Sequence, residues 1–286
     1  MRIFAKGWSS GFDGPGRRLV YYLKGCNFNC SWCGSPESIS PEQEILFYPD
    51  RSKSAADCCD KGAVQGDNLQ RKICQTCDMP CINVWHNRAF ELAGTEISVN
   101  EIIQETEERK AMFGSDGGVT FSGGEPTLQM DELLEAAREL KVRGINLTIE
   151  TNAASKRFRE LYGIFDLLIC DLKCIAPELH KKMIGTGNTT VLKNLSDAIN
   201  AGVNMIIRIP LIKELNFTVS EQEAFYGFFS RVKPERIELL RLHRLGFPKY
   251  KALGKKCPEL SPPEEAAAKD FCEKLSSLGI NVKLLH

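Results

Sequence analysis

Three cysteines carry the first chemical signal. Cys26, Cys30 and Cys33 stand in GCNFNCSWCG with the spacing C-x3-C-x2-C. Three thiolates on so short a loop can converge on one metal centre. Zinc would need a fourth ligand at matched spacing, and the nearest histidine, His86, lies in a separate cysteine-rich stretch. A 4Fe–4S cluster can take three cysteines and leave one iron open to a further molecule. Spacing alone does not separate the two readings.

Composition narrows the setting. The chain has 286 residues, 43% hydrophobic and 26% charged, as expected of a chain with a substantial core. Its 37 Lys and Arg balance 37 Asp and Glu, so charge makes no case for nucleic acid or an anionic membrane as partner. No apolar run reaches the roughly 18 residues of a membrane span. The segment MRIFAKGWSSGFDGPG lacks the apolar region of a signal peptide, so the chain reads as cytoplasmic. Eight of its twelve cysteines fall between Cys26 and Cys81. In a reducing compartment such clustering points to ligation rather than disulfides. Cys170, Cys174, Cys257 and Cys272 are expected to be buried structural thiols.

The elements that must position the triplet read as repeated strand–helix units. RLVYYL (18–23) predicts a strand that delivers the chain into the cysteine loop. A helix follows over 99–113, with Ser98 as N-cap and Glu101 three residues on. GVTFSGG predicts a strand ending in Gly123 and Gly124, where backbone can approach a ligand closely, with Glu125 beside them. Further strands are expected at INLTIETN, DLLICDLK, VNMIIRIPLI, RIELLRLH and INVKLL, with helices between them. About six units and a last strand imply parallel strands, with ligands at their C-terminal ends. Periodicity leaves an open sheet and a barrel equally possible. Residues 49–94 break the rhythm and read as an insert held together by a cofactor. The remainder, 1–48 and 95–286, forms the main domain.

The cysteine triplet with Trp32 before its last member, followed by Gly123-Gly124-Glu125, resembles the signature of the radical S-adenosylmethionine (SAM) superfamily. Longer stretches resemble one family within it, the glycyl-radical-enzyme activating enzymes, such as that of pyruvate formate-lyase. DGPGRRLVYYLKGC, CGSPES, DGGVTFSGGEPTLQ, ETN (150–152), DLK (171–173), IRIPLI around Arg208 and LLRLHRLGFPKYKALG around His243 follow in the family's order. Ser35 stands where the family usually has asparagine. The resemblance implies an α/β fold, a partial (β/α)6 TIM-like barrel with an inserted ferredoxin-like domain. It implies a 4Fe–4S cluster on Cys26, Cys30 and Cys33 whose open iron chelates SAM. One electron then cleaves the sulfonium bond to a 5′-deoxyadenosyl radical, which takes a Cα hydrogen from a glycine of a separate glycyl-radical enzyme. A low-potential donor such as flavodoxin or ferredoxin would supply the electron.

The same resemblance assigns roles. Trp32 packs near the adenosyl group, with Gly123, Gly124 and Glu125 around the cosubstrate. Asp171, Glu150 and Thr151 hold a monovalent cation against its carboxylate, although the family more often has aspartate at position 150. Arg208 meets that carboxylate and His243 lies by the adenine. Asp13 lies near the entering glycine loop, and Lys173 joins the catalytic group. An ordinary Lys173–Asp171 ion pair is the plainer alternative.

Many family members carry two C-x2-C-x2-C-x3-C runs in the insert. Here the first run reads Ser52, Ala55, Cys58 and Gly62, with Cys59 adjacent, and the second reads Cys74, Cys77 and Cys81. Three ligands from one run and one from the other make a full set. Cys74, Cys77 and Cys81 with Cys58 or Cys59 would therefore hold one auxiliary 4Fe–4S cluster, not two; zinc on the same four is the competing occupant. The auxiliary cluster would relay electrons or brace a docking surface. Two rival functions share the catalytic triplet: radical chemistry on a small molecule or peptide, and a non-catalytic iron–sulfur carrier.

Overall fold

In a computed structural model described over residues 1–51, 59–83 and 89–285, the repeated units form one nine-stranded sheet. Its strands are β1 (Arg2–Ser10), β2 (Arg17–Leu23), β3 (Gly118–Gly123), β4 (Leu147–Thr151), β5 (Leu167–Asp171), β6 (Met205–Leu211), β7 (Arg236–Arg241) and β8 (Asn281–Leu285), with Thr95–Glu96 at one edge. From β2 to β8 neighbours are consecutive and parallel. The order never reverses, so right-handed crossovers send every helix to the same face. β1 and Thr95–Glu96 extend the β2 edge antiparallel.

Side-chain alternation explains why this sheet has two unlike faces. Leu19, Tyr21, Val119, Phe121, Leu147, Ile149, Leu168, Cys170, Ile207 and Ile237 join the helices in the main core. Their neighbours Thr120, Ser122, Glu150, Asp171, Arg208 and Glu238 point the other way. The main helices are local products of the sequence. Val99–Arg109 starts on a capping box between Ser98 and Glu101. Met130–Val142 ends near Gly144, whose φ of 71° suits glycine.

Three features depart from expectation. β1 was not anticipated, because RIFAKGWSS has weak alternation and is held by pairing with β2 across an irregularity between Ile3 and Ala5. A helix at Pro177–Ile184, closed by Gly185 at φ 94°, was also missed. Cys170 and Cys174 are buried, but Cys272 is only partly so and Cys257 is exposed. The burial expected of Cys257 is thus corrected: it sits in an irregular stretch between two helices with no core face to enter.

Glu44–Phe47, just before residues 49–94, pairs antiparallel with Phe90–Ala93 near their end. Ile45, Phe47, Cys81, Ala89 and Phe90 form an apolar cluster apart from the main core. Among the described residues, regular structure between them includes a hairpin of Val64–Gln65 with Asn68–Leu69, the turn of helix Arg71–Cys74 and a 3-10 turn at Pro80–Asn83. Cys58 lies outside the described residues. Among the described residues no helix is long and apolar enough to cross a membrane.

Candidate active site

The C-terminal ends of β2 to β7 surround a cavity of about 380 Å³. Its walls include Asp13, Cys26, Cys30, Trp32, Cys33, Gly123, Gly124, Glu150, Thr151, Asp171, Lys173, Arg208 and His243. The residues singled out for the catalytic centre therefore meet here, with one exception. Glu125 is fully buried and does not face the cavity.

Backbone contacts hold the cysteine loop in place. Gly25 and Cys26 donate to the carbonyls of Ser38 and Ile39 at 2.8 and 3.0 Å, and the Gly25 carbonyl accepts from the Glu125 amide at 2.8 Å. The unanticipated helix also takes part: Asn29 and Ser31 donate to the carbonyls of Ile184 and Met183. Burial pushes the Cys26 and Cys30 thiols up to about 12, and raises Cys33 as well. Such thiols gain from handing their charge to a metal. Among the described residues no three Cys, His, Asp or Glu side chains close on a single ion position. Three thiols around one cavity match the number of ligands that a cluster with one open iron takes.

Ionic groups also line the cavity. Arg208 donates to Glu150 at 2.7 Å, to Glu238 at 2.9 Å and to the Phe12 carbonyl at 2.8 Å. Ser122 donates to the other Glu150 oxygen at 2.6 Å. Burial pulls the Arg208 pKa down, but Glu150 and Glu238 outweigh it and hold the guanidinium above its ordinary value. Burial lifts Glu150, against the pull of Arg208, and the negative Asp13 adds to the lift. Lys173 pairs with Asp171 at 2.6 Å. Burial opposes its charge, yet Asp171 and Cys30 raise it overall. The plain ion pair and the place in the cavity thus hold together.

Glu125 acts as a clamp behind the glycines. Its carboxylate accepts from the Thr127 amide at 3.1 Å and hydroxyl at 2.6 Å, from the Thr151 hydroxyl at 2.8 Å and from the Asn152 amide at 2.7 Å. It ties the turn after β3 to the end of β4. Glu125→Gln keeps the shape but turns an NH2 group toward these donors. We expect a stability loss of about 2–4 kcal/mol, from weakened charged hydrogen bonds and a stranded donor, read by chemical denaturation. An unchanged midpoint would remove the clamp from the account.

Elsewhere in the chain, Cys59, Cys74, Cys77 and Cys81 line one small cavity with Ile45, Ala63, Leu69 and Phe90. Burial raises the Cys81 thiol to about 11, and its three cysteine neighbours add to the shift.

Known proteins show which family the chain belongs to. Residues 20–219 match the radical SAM superfamily. The chain is 32% identical over 260 residues to the 4-hydroxyphenylacetate decarboxylase activating enzyme of Clostridioides difficile (strain 630), covering 85% of this chain and 82% of that one. It is 31% identical over 289 residues to the trans-4-hydroxy-L-proline dehydratase activating enzyme of Clostridioides difficile, covering 95% of each. The chain belongs to the glycyl-radical-enzyme activating family of the radical SAM superfamily. Among solved structures, a domain of pyruvate-formate lyase-activating enzyme from Bacteroides vulgatus ATCC 8482 superposes with TM-score 0.51 at 26% identity, over 59% of this chain and 99% of that domain. The family implies a 4Fe–4S cluster and SAM as cofactors, and a glycyl-radical enzyme as partner.

For this radical SAM protein, sequence reading missed several neighbours of the site. Glu238 was invisible because only the register of β6 with β7, Arg208 opposite Glu238, brings it to Arg208. Asn27, which accepts from Asn152 at 2.7 Å, stands inside the cysteine motif without a chemical signature of its own.

Proposed function

We propose that this protein is a radical SAM activase that leaves a glycyl radical on a separate enzyme. One observation carries the reading: Cys26, Cys30 and Cys33 share a cavity with Arg208 and Lys173, each held by carboxylates. When bound, the cluster on these thiolates supplies the electron that cleaves SAM reductively to the radical that abstracts the glycine hydrogen. Arg208 meets the cosubstrate carboxylate, and Glu150 and Glu238 hold it in place. Asp171 and Glu150, with Thr151 beside them, hold a monovalent cation on the same side. Gly123 and Gly124 let the strand end approach the cosubstrate, and Trp32 and His243 flank its adenosyl part. Asp13 and Lys173 border the space for the glycine loop. The uniformly wound sheet makes a partial (β/α)6 barrel, whose open side admits that loop.

The test is anaerobic. Reconstituted protein with reductant and SAM is expected to form 5′-deoxyadenosine, and a glycyl-radical enzyme added to it should show an EPR doublet. A chain that keeps this activity with Cys26, Cys30 and Cys33 all replaced by alanine would sink the proposal. Arg208→Met should weaken SAM binding roughly 10–100-fold, the worth of a charged hydrogen bond, measured by equilibrium binding. Unchanged affinity would remove Arg208 from the carboxylate site.

Residues 49–94 form a ferredoxin-like insert in this reading, with one auxiliary 4Fe–4S cluster on Cys59, Cys74, Cys77 and Cys81. The common cavity of these four thiols supports Cys59 as the fourth ligand. The cluster relays electrons from flavodoxin or ferredoxin, or braces the surface where the partner docks. We expect about eight irons per chain, since each cluster holds about four, and about four in Cys74→Ser. About twelve irons, or about four with one zinc, would overturn this part alone.

A further inference from the structure

The segment after His243 was singled out by its motif but has so far been given no chemistry beyond that histidine. It includes the short helix Phe247–Ala252, which lies against the back of the cysteine loop. A Cβ built on Gly246 would stand 2.4 Å from the Gly34 carbonyl oxygen, so the two backbones touch. Lys249 pairs with Glu37 at 2.5 Å, where Glu37 is nearly fully buried. These contacts fix the helix beside the last cysteine of the triplet.

Tyr250 projects from this helix and is 8% exposed. Its hydroxyl is buried and, among the described residues, has no hydrogen-bond partner. Leaving such a donor unmade costs about 1–3 kcal/mol, and native structures leave few of them without a reason. The Cys33 amide lies near the oxygen without reaching hydrogen-bond geometry. Tyr250 does not line the cavity where the cosubstrate is placed. It approaches the triplet from the protein side.

We infer that Tyr250 is a positioning residue whose buried hydroxyl donates a hydrogen bond to the sulfur of Cys33 when the catalytic cluster is in place. This rests on the cluster assignment proposed above. Hydrogen bonds to cluster sulfurs favour the reduced state, because reduction adds negative charge to those sulfurs. Tyr250 would therefore raise the potential at which the cluster accepts its electron.

The experiment compares the reconstituted full chain with Tyr250→Phe, which keeps the ring and removes only the donor. Each is poised with redox mediators, and the catalytic cluster is followed through the EPR signal that shifts when SAM is added. The variant is expected to hold the same iron, with the reduced fraction about tenfold lower at a fixed potential, equivalent to about 59 mV for one electron. A matched chain carrying 3-fluorotyrosine at position 250, a more acidic donor of nearly the same shape, should shift the opposite way. Equal potentials in all three chains would overturn the inference and leave the cluster assignment standing. If Tyr250→Phe lost its cluster, the fluorotyrosine chain would decide by itself: a raised potential supports the donor and an unchanged one overturns it. A wild-type chain with no SAM-sensitive signal would instead remove the cluster assignment, and this inference with it.

Discussion

Gly124→Ala is expected to leave the chain folded but unable to keep the catalytic cluster. The added methyl would stand 2.2 Å from the Gly25 carbonyl oxygen and 2.9 Å from that of Ser38. Both are backbone atoms, so no flexible side chain can swing aside. The loop must move off the end of β3 and lose the Glu125 amide bond to Gly25. Overpacking of this kind costs about 1–3 kcal/mol, and here it falls on the loop that carries all three thiols. The expected readings are a loss of about four irons per chain and a fall in 5′-deoxyadenosine formation of roughly 100-fold, the cost of displacing reacting groups by about 1 Å. Full iron content with normal product would show that the close contact does not matter.

Arg18→Leu should produce the largest loss of stability. Arg18 is completely buried and spends its guanidinium on Thr120, Asn146, and the carbonyls of Pro15, Val119 and Asn146. Burial lowers its pKa to about 10, partly offset by Asp166 and Asp13, so it stays charged at neutral pH. Leucine fills part of the volume but strands buried acceptors. Breaking such a buried charged network costs about 3–5 kcal/mol, a fall in melting temperature of roughly 10 °C for a chain of this size. The loop with Asp13 should loosen as well, because Thr120, which Arg18 holds, donates to the Asp13 carbonyl at 2.7 Å. Thermal unfolding of the cluster-free chain measures the first effect without interference from iron. A melting temperature within about 2 °C of wild type would contradict it.

The parallel strands were legible because their helix-facing positions are a regular apolar set, and this regularity is a one-dimensional signal. The cysteine triplet and the glycine pair were legible because their chemistry needs fixed residue types at fixed spacing. Other features depend on the third dimension. The helix Pro177–Ile184 supports the cysteine loop through the carbonyls of Met183 and Ile184, which any residue would offer. Glu125 was read as a residue facing the cofactor, yet its acceptors are spent on Thr127, Thr151 and Asn152, a fact set by how β3 and β4 end side by side. β1 escaped notice because Thr95–Glu96 pairs with only Arg2 and Ile3 on its outer side, so most of the strand asks little of its side chains.

Arg71 has a position whose effect reaches beyond its own turn. It opens the helix that carries Cys74, and its guanidinium donates to the Ile45 carbonyl at 2.5 Å and to the carbonyl of Ala252. Ala252 ends the helix that bears Lys249 and Tyr250. One side chain thus pins two distant stretches of chain together like a rivet. The turn that bears the outlying thiol of Cys74 and the helix behind the principal cysteines are therefore tethered through one guanidinium.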